Sequence, residues 1–461
     1  MTRNEHSLEW ACGFSAKGGP RYLQIVELME QAISEERLRA GDRLPPQRLL
    51  AQHLGVDLTT VTRAYTEARR RQLLEGRGAA GTFVAAPRVD LSQVVDLSMN
   101  IPPPPAGVDL DDLLRQGVSQ VLLHSDVDLL MTYHLGGGGQ ADREAGAMWL
   151  QPILGEVDIG QVVVCPGAQS ALAALILAHT VPGEAILAEP LAYPGLLSAA
   201  NQLGRRVVAV EVDRDGMLPE ALAVAAHHQR ARLVYLNPTL HNPTTRTVPP
   251  ARRAALAEVL RRLDLRLIED DPYWRFSAQA LQPLAHYAPQ HTFYVSTLSK
   301  CLLPGLRTAY VVVPPGPQQD HLLVALRAFV LMSTPLMTAL TTQWIHDGTA
   351  AALLDGIRAE AWARQELAHR TLGDSSLAGA GGIHIWKALP MHWQAGDFVQ
   401  KAREQGLAVV AQDAFATKGT RPAQAHIRIS LGRARSRFEL VNALRRLAEL
   451  ANRRSQRQVV I

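Results

Sequence analysis

The stretch TLSKCLLPGLR, residues 297–307, lies between two apolar runs, HTFYVS (291–296) and TAYVVVP (308–314). Both runs have the length and the β-branched and aromatic content of buried strands. Lysine packs poorly, so Lys300 at this junction asks for a chemical role. Working outward from it, short apolar runs recur from 160 to 314: VVVC, AILAEP, RVVAVEV, RLVYLN, LRLIEDD, HTFYVS and TAYVVVP. Ala/Leu-rich helical stretches separate most of them. Seven strands with helical crossovers predict a doubly wound, mostly parallel seven-stranded sheet.

Ligands of open α/β sheets sit beyond the carboxyl ends of the strands. This sequence concentrates polar residues there. Asn242 follows RLVYLN, Asp270 and Tyr273 lie in EDDPY, and Lys300 follows HTFYVST. PGAQS (166–170) follows VVVC and opens a helix, a ready place for an anion. Arg307 adds a positive charge seven residues past the lysine. Singly, each has a bland explanation: a helix cap, a turn residue, a surface charge. Together and in this order they fit pyridoxal 5′-phosphate. Its aldehyde needs an amine, its ring nitrogen a carboxylate, its phenolic oxygen donors, and its phosphate backbone N–H groups and an arginine.

The motifs HNPT, EDDPY and SK…PGLR, in that order, resemble fold-type I aminotransferases, over roughly residues 95–455. The resemblance implies a smaller α+β domain beside the sheet. It implies that Lys300 forms the internal aldimine, that Asp270 pairs with the ring nitrogen, and that Asn242 and Tyr273 bind the phenolic oxygen. Lys300, Asp270 and Tyr273 are thereby the candidate catalytic residues. Tyr193 in EPLAYPG matches the ring-stacking aromatic. Ala168, Gln169, Thr297, Ser299 and Arg307 match phosphate contacts. Arg428 in HIRISLG matches the arginine that forks a substrate carboxylate, and Tyr133 a residue that reaches the neighbouring subunit's phosphate, which implies a homodimer. Thr245 stands where the family usually has glycine, and Cys301 where threonine is common.

The N-terminal region reads differently. RYLQIVELMEQAISEERL (21–38) has helical spacing and a stop at Gly41. Pro46 can open a short helix over 47–53, and Gly55 permits a tight turn. Thr59 or Thr60 can cap a second helix whose Val61, Ala64, Tyr65 and Ala68 face inward. Thr60, Arg63 and Arg70 lie on its opposite face. Two helices around a short turn make a helix-turn-helix, and EGRGAAGTFVAA (75–86) reads as a wing with its tip at 78–81. Residues 43–77 hold seven arginines and three acids, a local +4 that equals the formal charge of the whole 461-residue chain. Such an excess points to a polyanion partner for this segment, with the rest of the chain balanced.

The string GDRLPPQRLLAQHLGVDLTTVTRAY…GTFV resembles the winged helix of the GntR family of bacterial regulators, which implies double-stranded DNA as partner. Arg48, Thr59 and Thr60 match contacting positions. Leu58 stands where the family usually carries an arginine, and Arg63 is the nearest replacement. The expected organisation is a winged helix-turn-helix over 18–86, a linker over 87–97 and an aminotransferase-like domain over 98–455.

That architecture resembles the MocR subgroup of GntR regulators. It implies a transcription regulator in which an amine or amino acid displaces Lys300 from the aldimine. Two alternatives stay open. One is a working transaminase with an incidental head domain. The other is a sensor of pyridoxal phosphate itself. No apolar run approaches bilayer length, the start MTRNEHSLEW is not a secretory signal, and three scattered cysteines disfavour a disulfide framework or zinc site. A cytoplasmic protein without a metal is expected.

Overall fold

The computed structural model describes residues 8–11, 14, 19–35, 37–71, 73–78, 81–85, 94–134, 136–277, 281–373, 381–420 and 424–453. The chain forms two compact units, one of residues 1–93 with 105–114, the other of 94–104 with 115–461. Residues 86–93, most of the expected linker, and residues 79 and 80 at the wing tip lie outside the described residues.

In the first unit, α1 runs Arg21–Ser34, α2 Gln47–Leu54 and α3 Leu58–Arg70. Helix α1 ends well before Gly41. After Glu35 leaves helical geometry, the Leu38 N–H bonds the Ala32 carbonyl and buries Leu38 in the core. Gly55 closes α2 in the left-handed region (φ 63°), where a Cβ would be strained. The cap of α3 differs from expectation. The helix starts at Leu58 after an extended Asp57, so Thr59 and Thr60 lie within its first turn instead of ahead of it. Its buried residues are Val61, Ala64, Tyr65 and Ala68. They pack with Ile25, Val26, Met29 and Leu50. Tyr65, the bulkiest of them, donates its hydroxyl to the Pro45 carbonyl at 2.6 Å. This bond keeps the only polar atom of the inward face satisfied. Leu74–Gly76 and Thr82–Val84 pair antiparallel as the wing.

The second unit is built on a seven-stranded sheet. Its order is Val162–Cys165, Ala309–Val312, Thr292–Thr297, Arg266–Asp270, Leu233–Leu236, Ala185–Ala188, Arg206–Ala209. Ala309–Val312 is antiparallel to both neighbours, and the other pairs are parallel. The reason is local. A single helical turn, Pro304–Leu306, separates Thr292–Thr297 from Ala309–Val312, too little chain for a parallel crossover. The central strands Leu233–Leu236 and Thr292–Thr297 are buried on both faces, as their apolar sequence requires. A smaller antiparallel sheet joins His384–Ala388, His426–Ser430 and Val410–Ala411. Phe398, Leu440, Leu444 and Leu447 of the helices Ala395–Glu404 and Arg437–Asn452 cover it. Among the described residues, no helix is long and apolar enough to cross a membrane.

Candidate functional site

Strand alternation sorts the acidic run of EDDPY. Glu269 and Asp271 turn to one side, where Arg253 lies 3.8 Å from Glu269, and Thr239 and Tyr294 donate to Asp271. Asp270 turns the other way. The Tyr235 hydroxyl donates to its Oδ2 at 2.8 Å, while Oδ1 has no hydrogen-bond partner among the described residues. Burial, against the hydroxyl bond, pushes Asp270 up to about 7. A buried carboxylate with one vacant oxygen and a raised affinity for protons suits a protonated ring nitrogen.

Lys300 faces the same space. Burial and then the Arg428 charge bring it down to about 8, and its Nζ donates to the Asn100 carbonyl at 2.7 Å. The amine is thus closer to its neutral, nucleophilic form than an exposed lysine. Asn100 also donates its side-chain amide to the Tyr273 hydroxyl at 2.7 Å. Tyr273 therefore receives a donor and keeps its own proton for another acceptor. Asn242 is committed through Oδ1, which accepts from Arg428 Nη1 at 2.8 Å, leaving its amide N–H₂ to donate. Its backbone is held by Asn237, which accepts the Asn242 N–H and donates to the Asp270 carbonyl.

Arg428 is buried. Its second terminal nitrogen donates to the Ser98 carbonyl at 2.5 Å, its Nε has no partner, and the Phe415 ring lies 5.0 Å away. Both of its bonds are to neutral acceptors and no carboxylate among the described residues pairs with it, which suits an anionic ligand.

The anion end lies at the helix Ala168–His179. Gly167 precedes it at φ 92°, and a Cβ there would come within 2.7 Å of the Arg307 guanidinium. Arg307 donates to the Pro166 carbonyl at 3.2 Å. The buried Ser299 hydroxyl has no partner among the described residues, and the first N–H groups of the helix are open. Ala168 and Gln169 lie in that first turn. The Gln169 side chain is used elsewhere, on the Gly195 carbonyl at 2.8 Å, so only its backbone faces an anion. Thr297 accepts from the Ser299 N–H. Tyr193 is half-buried at the head of the helix Pro194–Gln202. Tyr133 is 75% exposed and takes no part in this cluster.

Tyr235, Asn237, Asn100, His384 and the Ser98 carbonyl were not legible as site groups. Tyr235 and Asn237 alternate along RLVYLN, so their common side could have been read from that period. Asn100, the one amide in MNIPPPP, carried no positional signal.

On the first unit, Arg48 and Thr59 are exposed and Thr60 is half-buried. Arg48 and Arg21 line a cleft of about 500 Å³ with Gln52, Gly55 and Leu58. Arg63 is engaged: it lies 3.1 Å from Asp112 and 3.7 Å from Asp109, over the Tyr22 ring, whose hydroxyl donates to Asp109.

These two units define a class: a winged helix joined to an aminotransferase-like domain. Residues 21–84 match the model of bacterial regulatory proteins of the gntR family, and residues 92–447 match that of aminotransferase class I and II. An uncharacterized HTH-type transcriptional regulator of Bacillus subtilis (strain 168), YdeF, is 28% identical over 96% of this chain and 97% of its own. The vitamin B6 salvage pathway transcriptional repressor PtsJ of Salmonella typhimurium is 31% identical over 81% of this chain and 87% of its own. The fold of the second unit is that of the Pyrococcus horikoshii kynurenine aminotransferase. The TM-score is 0.69 at 23% identity, over 78% of this chain and 91% of that one. The chain belongs to the MocR group of GntR-family transcription regulators.

Proposed function

We propose that this protein binds double-stranded DNA through its winged helix and holds pyridoxal 5′-phosphate in the second unit, where it senses an amine or amino acid. The observation that carries the reading is the convergence of Lys300, Asp270, Tyr273, Asn242 and Arg428 in one buried space with vacant polar atoms. When bound, the cofactor supplies an aldehyde that exchanges between amines and a ring that withdraws electrons.

In this reading Lys300 Nζ takes the aldehyde, and Asp270 Oδ1 keeps the ring nitrogen protonated. Tyr273 and Asn242 donate to the phenolic oxygen, and Tyr193 covers the ring. Gly167, the first turn at Ala168 and Gln169, Thr297, Ser299 and Arg307 cradle the phosphate. Arg428 exchanges its neutral acceptors for an effector carboxylate. Arg48, Thr59 and Thr60 contact DNA, with Arg63 available once it leaves Asp112. Tyr133, exposed on one protomer, reaches the phosphate of a second copy, which makes the protein a homodimer. The functional boundaries follow the expected 18–86 and 98–455, in the cytoplasm where its DNA lies.

The test combines two measurements on purified protein. An absorbance band in the visible region, with borohydride attaching cofactor to Lys300, is expected. Amines that shift the band should change affinity for operator DNA. A band that shifts with amino donors, releases keto acid in repeated turnovers and leaves DNA affinity unchanged would make the protein a transaminase instead. PtsJ's naming for vitamin B6 salvage favours a second reading, sensing of the cofactor itself. It predicts that pyridoxal phosphate alone, without any amine, switches DNA binding.

A further inference from the structure

Residues 94–104 are the one stretch of the second unit with first-unit sequence on both sides, 1–93 before it and 105–114 after it. The stretch is anchored at both ends. The Val95 and Leu97 N–H groups bond the Gly406 and Ala408 carbonyls, and the Leu97 carbonyl accepts from Ser430. At the other end Ile101 and Pro102 press on Gly432, where a Cβ would come within 1.8 Å of the Ile101 carbonyl oxygen. Between these anchors two carbonyls face the site. Ser98 accepts from Arg428, and Asn100 accepts from Lys300. Arg428 and Lys300 are the two groups that an amino-acid effector would engage, one through its carboxylate and one through its amine.

We propose that the Ser98–Asn100 strap reads the effector site, because its two carbonyls lose and regain their donors as Lys300 and Arg428 change partners. The inference rests on the function proposed above and adds its readout element. Asn100 is the positioning residue of the strap. Its amide nitrogen serves two acceptors, the Tyr273 hydroxyl and His384 Nδ1 at 3.1 Å, and its Oδ1 has no partner. Desolvation by burial brings His384 down to about 3, so the ring is neutral and Nδ1 can accept. Each bond thus has one direction, from Asn100 outward, and the strap is held to the ring-binding tyrosine as well as to the lysine.

The donors change in a defined order. In the structure both carbonyls have donors, Asn100 in Lys300 and Ser98 in Arg428. With the cofactor held through Lys300, Nζ would no longer serve the Asn100 carbonyl, which would lose this donor. An amine that displaced Lys300 would return its Nζ, as a free amine, to the Asn100 carbonyl. A carboxylate on that amine draws Arg428 away from Ser98. A bare amine leaves Arg428 in place.

The test uses the full chain loaded with pyridoxal phosphate and two reagents that capture its aldehyde carbon, hydroxylamine and aminooxyacetate. Both release Lys300, and only the second carries a carboxylate. Absorbance reports the release, and hydrogen exchange reports the amides of 95–101 against those of the strand Val162–Cys165. Hydroxylamine should slow strap exchange roughly threefold to tenfold relative to the loaded protein, the scale of one hydrogen bond. Aminooxyacetate should slow it less. If absorbance reports release and the strap is unchanged, or changes no more than the reference strand, the strap is no readout and the proposed function stands. If borohydride links no cofactor to Lys300, the function itself falls and the inference with it.

Discussion

The two units handle charge in opposite ways. In the second unit Asp270 and Arg428 are buried and Lys300 is half-buried, and each has an unbonded polar atom or a neutral partner where a ligand charge would go. In the first unit Arg63, Arg70 and Arg77 are exposed and already meet local carboxylates at 3.1, 2.7 and 2.6 Å. Burial makes each charge in the ligand site costly until it is paired, so that site selects by chemistry. Exposure makes the arginine pairs cheap to exchange, so that surface can trade carboxylates for phosphates with little penalty. One region stores its electrostatic demand, and the other keeps its charges interchangeable.

Perturbations should therefore differ in size between the two. Lys300→Ala should abolish the visible band and borohydride attachment outright. Attachment persisting at another lysine would move the buried charge centre elsewhere.

Asp270→Asn should come next. Burial pushes Asp270 up to about 7, above the ordinary carboxylate range, so the folded chain holds this proton more tightly than the unfolded chain. Stability from this group is complete below about 4 and is lost as pH rises through about 7. The asparagine variant, unable to ionise, should then be more stable than wild type at pH 8 without cofactor, by on the order of 1–4 kcal/mol, and equal to it at pH 4. Adding pyridoxal phosphate should reverse the order at pH 8. Denaturant titrations at the two pH values measure this. An unaltered pH dependence would assign the effect to Glu269 or Asp271, both also pushed up by burial.

Arg428→Lys should weaken carboxylate-bearing effectors by about 1.5–3 kcal/mol and spare bare amines, as read from spectral titrations. Equal loss for both classes would make its bonds to Asn242 and Ser98 purely structural.

In the first unit, Arg48→Ala should cost about 1–3 kcal/mol of operator binding and relax preference at one base pair if the arginine reads a base. Uniform loss across sequences would mean a phosphate contact. Asp112→Asn should have the smallest effect. Freeing Arg63 from an exposed pair is worth about 0.2–1 kcal/mol, so DNA binding should strengthen by no more than that, most visibly at low salt. Weaker binding in this variant would show that the pair holds Arg63 in its reading position.

Much of this molecule was determined along the chain. The seven apolar runs became the seven strands because sheet periodicity and burial on both faces are written locally. The inward face of α3 followed from 3.6-residue spacing. Lys300, Asp270 and Asn242 could be singled out because strand ends in such a sheet converge, whatever the loops do. The α3 cap falls on Asp57, ahead of Thr59 and Thr60, since local sequence fixes helix ends only to within a residue or two. Tertiary structure alone decided which partners those side chains have. Ser98 and Asn100 lie 330 and 200 residues from the Arg428 and Lys300 that bond them. A backbone carbonyl has no sequence signature, and its partner is chosen only when distant segments pack. The same holds for Arg63, whose carboxylate neighbour is 49 residues away. Local physics chose the elements and placed the chemistry, and long-range packing set which bonds a ligand must break.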